Sequence, residues 1–143
     1  MLKIAHRGNT NGPSSGENSP ARILEALSKG FDVEVDTWVL DGDVYFGHDD
    51  PVYGPIEESF LSEIGAHAWI HCKNLQALHF FASNYPKFRY FWHQEDDYTL
   101  TSNGYIWTYP GQQTTDRSII VALGPHKPTG TYYGICSDYV EEL

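Results

Sequence analysis

Positive charge is what this chain has least of: nine Lys and Arg stand against nineteen Asp and Glu, for a net charge of −10. A nucleic-acid groove or a face for an anionic membrane needs a basic patch, so the balance argues against both as partners. An anionic small substrate stays open, because a bound cation reverses the local field. Cysteine is almost missing. Cys72 and Cys136 lie far apart in strand-like runs and read as buried free thiols rather than a disulfide framework. No apolar run nears the ~18 residues that span a bilayer. The start, Met1-Leu2-Lys3-Ile4-Ala5-His6-Arg7, offers no apolar signal core. Repeats and low-complexity segments are also absent. What is present is a core's worth of apolar side chains, 41% hydrophobic and 15% aromatic. The expectation is one soluble, cytoplasmic domain over residues 1–143 with no membrane insertion.

The stretch from Asp32 to Asp49 holds the chemistry. Glu34 and Asp36 are two residues apart, which on a strand places both carboxylates on one face and Val33 and Val35 on the other. Asp41-Gly42 is a turn signal, and a second strand from Val44 ends in His48-Asp49. Two carboxylates and an imidazole at neighbouring strand ends suggest a metal site with an acid–base group beside it.

Strands are expected near residues 2–6, 32–36, 44–48, 68–73, 88–94, 105–109, 119–124 and 133–138. Ser19 as N-cap and Pro20 at the first helical position open a helix that Gly30 closes. Further helices are expected over Ile56–Ile64 and Asn74–Asn84, and none after that. Eight strands with interleaved helices suggest a reduced (β/α)8 TIM-type barrel that has lost several outer helices, since a full one takes ~250 residues. His6-Arg7, Glu34 and Asp36, His48-Asp49, His71 and Lys73, His93 and Glu95, and Asp138 all fall late in their strands or just beyond. That is where a barrel keeps its active site; an open parallel sheet obeys the same strand-end rule.

His6-Arg7-Gly8, Glu17-Asn18, Gly30-x-Asp32-x-Glu34-x-Asp36, Asp41-Gly42 and His48-Asp49 resemble, in order, the motifs of the glycerophosphodiester phosphodiesterases, in the superfamily of the phosphatidylinositol-specific phospholipases C. The resemblance covers roughly the first 50 residues and continues weakly at His71-Cys72-Lys73, where the family has Glu-x-Lys, and at Gly134 to Asp138. It implies a barrel, a divalent cation (manganese, magnesium or calcium) and cleavage of a small phosphodiester. By position, it makes His6 and His48 the acid–base pair, Arg7 and Lys73 the phosphate clamps, and Glu34 and Asp36 metal ligands. Family members use a neighbouring substrate hydroxyl as nucleophile, forming a cyclic phosphate.

The chain departs from the family where a third metal carboxylate is expected: His71 stands there, with Glu95 on the next strand as the competing ligand. One nitrogen and two carboxylates suit manganese or another transition ion better than calcium. Imidazoles with pKa ~6.5 can accept and donate protons near neutrality. The leading expectation is therefore a metal-dependent phosphodiesterase. The alternatives are a catalytically weak phosphate-binding module and a phospholipase-D-like lyase that leaves a cyclic phosphate. Glu17 and Asn18 read as loop-shaping residues, and Asp138 as a site wall or helix cap. Tyr90-Phe91-Trp92 reads as core, with Trp107 and Tyr109 placed to line the pocket mouth.

Overall fold

Alternation decides this fold more than helix propensity does. A computed structural model describes all residues 1–143. Its strands are β1 Leu2–His6, β2 Asp32–Leu40, β3 Asp43–Phe46, β4 Tyr53–Ile56, β5 Ala68–Cys72, β6 Arg89–Phe91, β7 Tyr98–Leu100, β8 Ile106–Thr108, β9 Ser118–Val121 and β10 Gly134–Ser137. The helices are α1 Pro20–Ser28, α2 Glu58–Ile64 and α3 Leu75–Asn84, and a 3-10 turn at Val140–Glu142 follows β10. No helix is long and apolar enough to cross a membrane.

The expected (β/α)8 barrel is corrected to a ten-stranded mixed sheet curved into a half-barrel, with three helices. Seven strands run parallel in the order β6, β5, β2, β1, β10, β9, β8. The sheet stays open because β6 pairs only with β5. Across that gap Phe91 stacks on Trp107 with ring centroids 4.4 Å apart. Ser102 replaces a ladder partner for Tyr90, its N–H donating to the Tyr90 carbonyl at 2.9 Å and its Oγ accepting from the Tyr90 N–H at 2.9 Å.

Residues 44–48 are not a strand of the parallel run. Asp41 and Gly42 both adopt left-handed backbone, φ +51° and +82°, and a turn this short joins only antiparallel strands. β3 therefore folds back on the last half of β2, pairing Thr37 with Phe46 and Leu40 with Asp43. The helix expected over Ile56–Ile64 forms from Glu58 as α2, with Ile56 ending the edge strand β4, and both β4 and β7 are strands that the sequence did not announce. Gly54-Pro55 lies within β4, a placement that an edge tolerates because proline donates no hydrogen bond there.

The two faces of the sheet carry different cores. On the outer face Ala5, Val33, Val35, Ile70 and Cys72 pack under α1, α2 and α3 with Ile23, Leu61, Ile64 and Phe81. Ser19 caps α1, its Oγ accepting from the Arg22 N–H at 3.2 Å, and Asn74 caps α3, accepting from the Ala77 N–H at 3.0 Å. On the inner, concave face Ile4, Trp69, Phe91, Trp107, Ile119 and Cys136 form a second cluster. The same parity that points those six inward also points inward His6, Glu34, Asp36, His71, His93 and Asp138, one pleat or two further on.

Candidate metal and phosphate site

The parallel register sets the site. β1 lies between β2 and β10, with His6 opposite Glu34 and Ala5 opposite Ser137. β2 also pairs with β5, with Asp36 opposite His71. The C-terminal strand ends thus bring six chemistry-bearing residues together on one concave rim.

His6 is oriented by the last strand. Its Nδ1 donates to Asp138 Oδ1 at 2.8 Å, and Asp138 also accepts from Asn9 Nδ2 at 2.9 Å. That fixes one tautomer and leaves Nε2 as the nitrogen available for proton transfer. Burial pushes the His6 pKa down, but the Asp138 hydrogen bond and the nearby Glu34 charge outweigh it, and the net shift is upward. Asp138 is held below its ordinary value: burial acts to raise it, and the bond and charge of His6 override that. Sequence reading placed Asp138 at a strand end but missed this role. Its inward parity with Cys136 was the available signal.

Arg7 follows β1 in a left-handed conformation, φ +55°, with Gly8 at +78°. A Cβ on Gly8 would come within 3.0 Å of Arg22 Cγ, so the turn needs glycine on two counts. The turn aims the Arg7 N–H at Glu34 Oε1, at 3.1 Å. It returns the guanidinium over the sheet, where Nη1 donates to Glu17 Oε1 at 2.9 Å and Nε lies 3.1 Å from Asp36 Oδ2. Asn18 grips Asp36 twice: its Nδ2 donates to Oδ2 and its Oδ1 accepts the Asp36 N–H, both at 3.0 Å. Glu17 and Asn18 thus shape the loop, as expected, and also orient Arg7 and Asp36.

Glu34, Asp36 and His71 offer three ligand atoms within 4.8 Å of one another, and both carboxylates are buried. His71 Nε2 donates to the His93 carbonyl at 2.7 Å, which turns Nδ1 toward Asp36 Oδ1 at 3.1 Å and Glu34 Oε2 at 3.4 Å. A ring nitrogen pinned to a backbone carbonyl while the other faces two carboxylates could ligate a metal ion, and when protonated pairs with both acids. The contact to Asp36 Oδ1 is charge attraction rather than a directed hydrogen bond, and Oδ1 is buried with no hydrogen-bond partner. A buried carboxylate oxygen without a hydrogen bond is costly, and a divalent ion could replace the His71 charge there, so these residues fit such an ion. Without an ion a proton takes that role. Burial lowers the His71 pKa, but the bonds and charges of Asp36 and Glu34 prevail and push it up to about 9. Asp36 is held well below the usual carboxylate range: burial acts against this, and His71, Asn18 and Arg7 prevail. Glu95, the competing ligand, is exposed and outside the cluster.

The other residues singled out in the sequence lie apart. His6, Arg7 and Glu34 line one recess of about 240 Å³, whose far wall carries Trp107 and Tyr109. His48 opens on an adjoining recess with Ser15, Glu17 and Asn18, and its Nδ1 donates to its exposed neighbour Asp49 at 2.8 Å. Glu17 is common to the two, holding Arg7 on one side and lining the His48 recess on the other. Lys73 is half-buried and makes no ion pair; its N–H donates to the Thr37 carbonyl at 2.9 Å. His93 lines the His6 recess, and its Nδ1 is buried without a partner. Burial, with the positive charges of His71 and Lys73, pushes its pKa down. Comparison with protein-family models, with curated proteins and with solved structures finds no match to this chain.

Proposed function

We propose that this protein cleaves a small phosphodiester with the help of a divalent ion held by Glu34, Asp36 and His71. The observation that carries the reading is the Glu34, Asp36 and His71 cluster, in which Asp36 Oδ1 accepts no hydrogen bond and meets only His71 Nδ1 at 3.1 Å, beside a recess lined by His6, Arg7 and Glu34. The motif resemblance over the first 50 residues supports the same chemistry. A divalent ion there would neutralise charge on phosphoryl oxygens as it builds up. Arg7 adds a second cation; its Nε and Nη1 face carboxylates, so Nη2 is the nitrogen it has to offer a phosphate oxygen. His6, kept in one tautomer by Asp138, transfers the proton through Nε2. By resemblance, a hydroxyl of the substrate itself attacks and the product is a cyclic phosphate. The resemblance pairs His48 with His6, but His6 alone of the two lines the recess beside Glu34.

Cleavage of glycerophosphocholine, which carries a neighbouring hydroxyl, with and without EDTA, tests the reading, and bis(p-nitrophenyl) phosphate, which carries none, reports attack by water instead. Phosphorus NMR of the product separates a cyclic phosphate from a monoester. No turnover of either diester with any of manganese, magnesium, calcium or zinc would overturn it. A second reading, a phosphate-binding module without turnover, is favoured by the separation of His48 from the His6 recess. Phosphate binding without cleavage would establish it.

A further inference from the structure

The recess beside His6 has two unlike sides. One is charged and hydrogen-bonded: His6, Arg7 and Glu34. The other is apolar, built by Trp107, Tyr109, Pro110, Val121 and Leu123 from β8, β9 and the segments that follow them, with His93 and Gln94 at the border. Trp107 is buried and backs the wall, stacked on Phe91 at 4.4 Å. Tyr109 and Leu123 present the open surface, 45% and 41% exposed, and the His93 ring centroid lies 6.4 Å from that of Tyr109. Large apolar side chains exposed in the same recess as a charged cluster keep unfavourable contact with water unless a ligand covers them.

We propose that this wall is the subsite for one ester arm of the phosphodiester, and that it takes an apolar arm, best a flat aromatic one. The inference rests on the phosphodiester reading, which puts the phosphate against His6 and Arg7. With the phosphate there, an ester arm that stays within the recess meets the apolar side, because the same recess is lined by both sets of residues. A polyol arm on that wall would give up water and find few partners, because the wall offers the Tyr109 hydroxyl and little else. An aromatic arm would cover Leu123 and Val121 and lie against the Tyr109 ring, gaining apolar burial and ring contact.

The test is direct binding of two phosphomonoesters of equal charge, phenyl phosphate and glycerol 3-phosphate, to the full chain with magnesium present, by calorimetry or phosphorus NMR. Phenyl phosphate is expected to bind roughly tenfold more tightly, the gain from burying on the order of 60 Å² of apolar ring. Leu123→Ser and Tyr109→Ser, both at exposed positions, should each shrink that preference to under about threefold. Equal affinity for the two esters, or a preference that survives both substitutions, overturns the assignment of the wall while leaving the phosphate site standing. Failure of both esters to bind overturns the wall and the phosphodiester reading together.

Discussion

Asp32 and Asp36 lie on the same strand, on the same face, and both are buried, at 7% and 1% exposure. Their surroundings differ in one respect. Asp32, at the lower end, has both oxygens engaged: Oδ2 accepts from Trp69 Nε1 at 3.0 Å and Arg89 Nη1 at 3.3 Å, and Oδ1 accepts from His67 Nδ1 at 3.1 Å. Arg89 also lies 4.7 Å over the Trp69 ring and donates to the Ala66 carbonyl. This end is a closed plug. Asp36, at the upper end, has Asn18 and Arg7 on Oδ2 and no hydrogen bond to Oδ1. A carboxylate that only holds the sheet together is saturated by the protein. One whose second oxygen meets only the charge of His71 at 3.1 Å, in an equally buried place, has room to take a cation instead.

The largest effects should come from exchanging amides for acids at the two ends. Glu34→Gln with Asp36→Asn is expected to abolish ion-dependent diester cleavage and the rise in melting temperature that divalent ions give, ~2.7 kcal/mol at an ion concentration of 100 Kd. Asp32→Asn should do the reverse, keeping the ion-dependent rise while lowering stability by about 2 kcal/mol in urea unfolding, because Arg89 loses its charge partner. An ion response that survives at the upper end would place the metal elsewhere.

Next in size are the histidines. His6→Ala should lower turnover by ~10²-fold, with little loss of stability. His48→Ala should cost less than ~10-fold, the difference between a group in the recess and one beside it. Equal losses, measured in the same diester assay, would make the two recesses one site during turnover. Smaller again is ion choice: His71→Glu should move the best activity from manganese toward magnesium or calcium, read from a titration of each ion. If it does not, His71 is not a ligand.

The smallest effect is on pH. His71 is raised from ~6.5 in the unfolded chain to about 9 in the folded one. Its stabilising contribution is complete below pH 6.5 and is lost as pH rises through 9. The melting temperature of the ion-free protein should therefore decline across that window. Saturating ion should remove the decline, since the ion then takes the proton's place, and so should His71→Gln. A decline that persists in His71→Gln belongs to another group.

The upper end was more legible in the sequence than the fold around it. Glu34-x-Asp36 and His6-Arg7 are local patterns, and period-two parity is enough to put each side chain on its face. α1 was legible for the same reason, since Ser19, Pro20 and Gly30 act within a few residues. Closure of the barrel was not, because whether β6 meets β8 depends on pairing between residues distant in sequence. The place of β3 was legible and misread: the two-residue Asp41-Gly42 turn already rules out a parallel neighbour. Asp138 and His93 were placed at strand ends without their partners, because a lone acid or histidine acquires its role only from what the register sets opposite it.

His6 and its orienting Asp138 are 132 residues apart, and the strands that carry them are neighbours in the sheet. This spacing has a consequence in time. As the chain is made, β1 can settle against β2 and α1 early, over a short loop, yet its other edge waits for β10, far downstream. Closing so long a loop is the slow, entropically expensive step of such a topology. Until it closes, His6 has no fixed tautomer. The proposed proton-transfer group thus gains its orienting partner only once β10 has docked, and a chain interrupted before Gly134 would carry the candidate ion ligands of β2 and β5 without the carboxylate that holds His6.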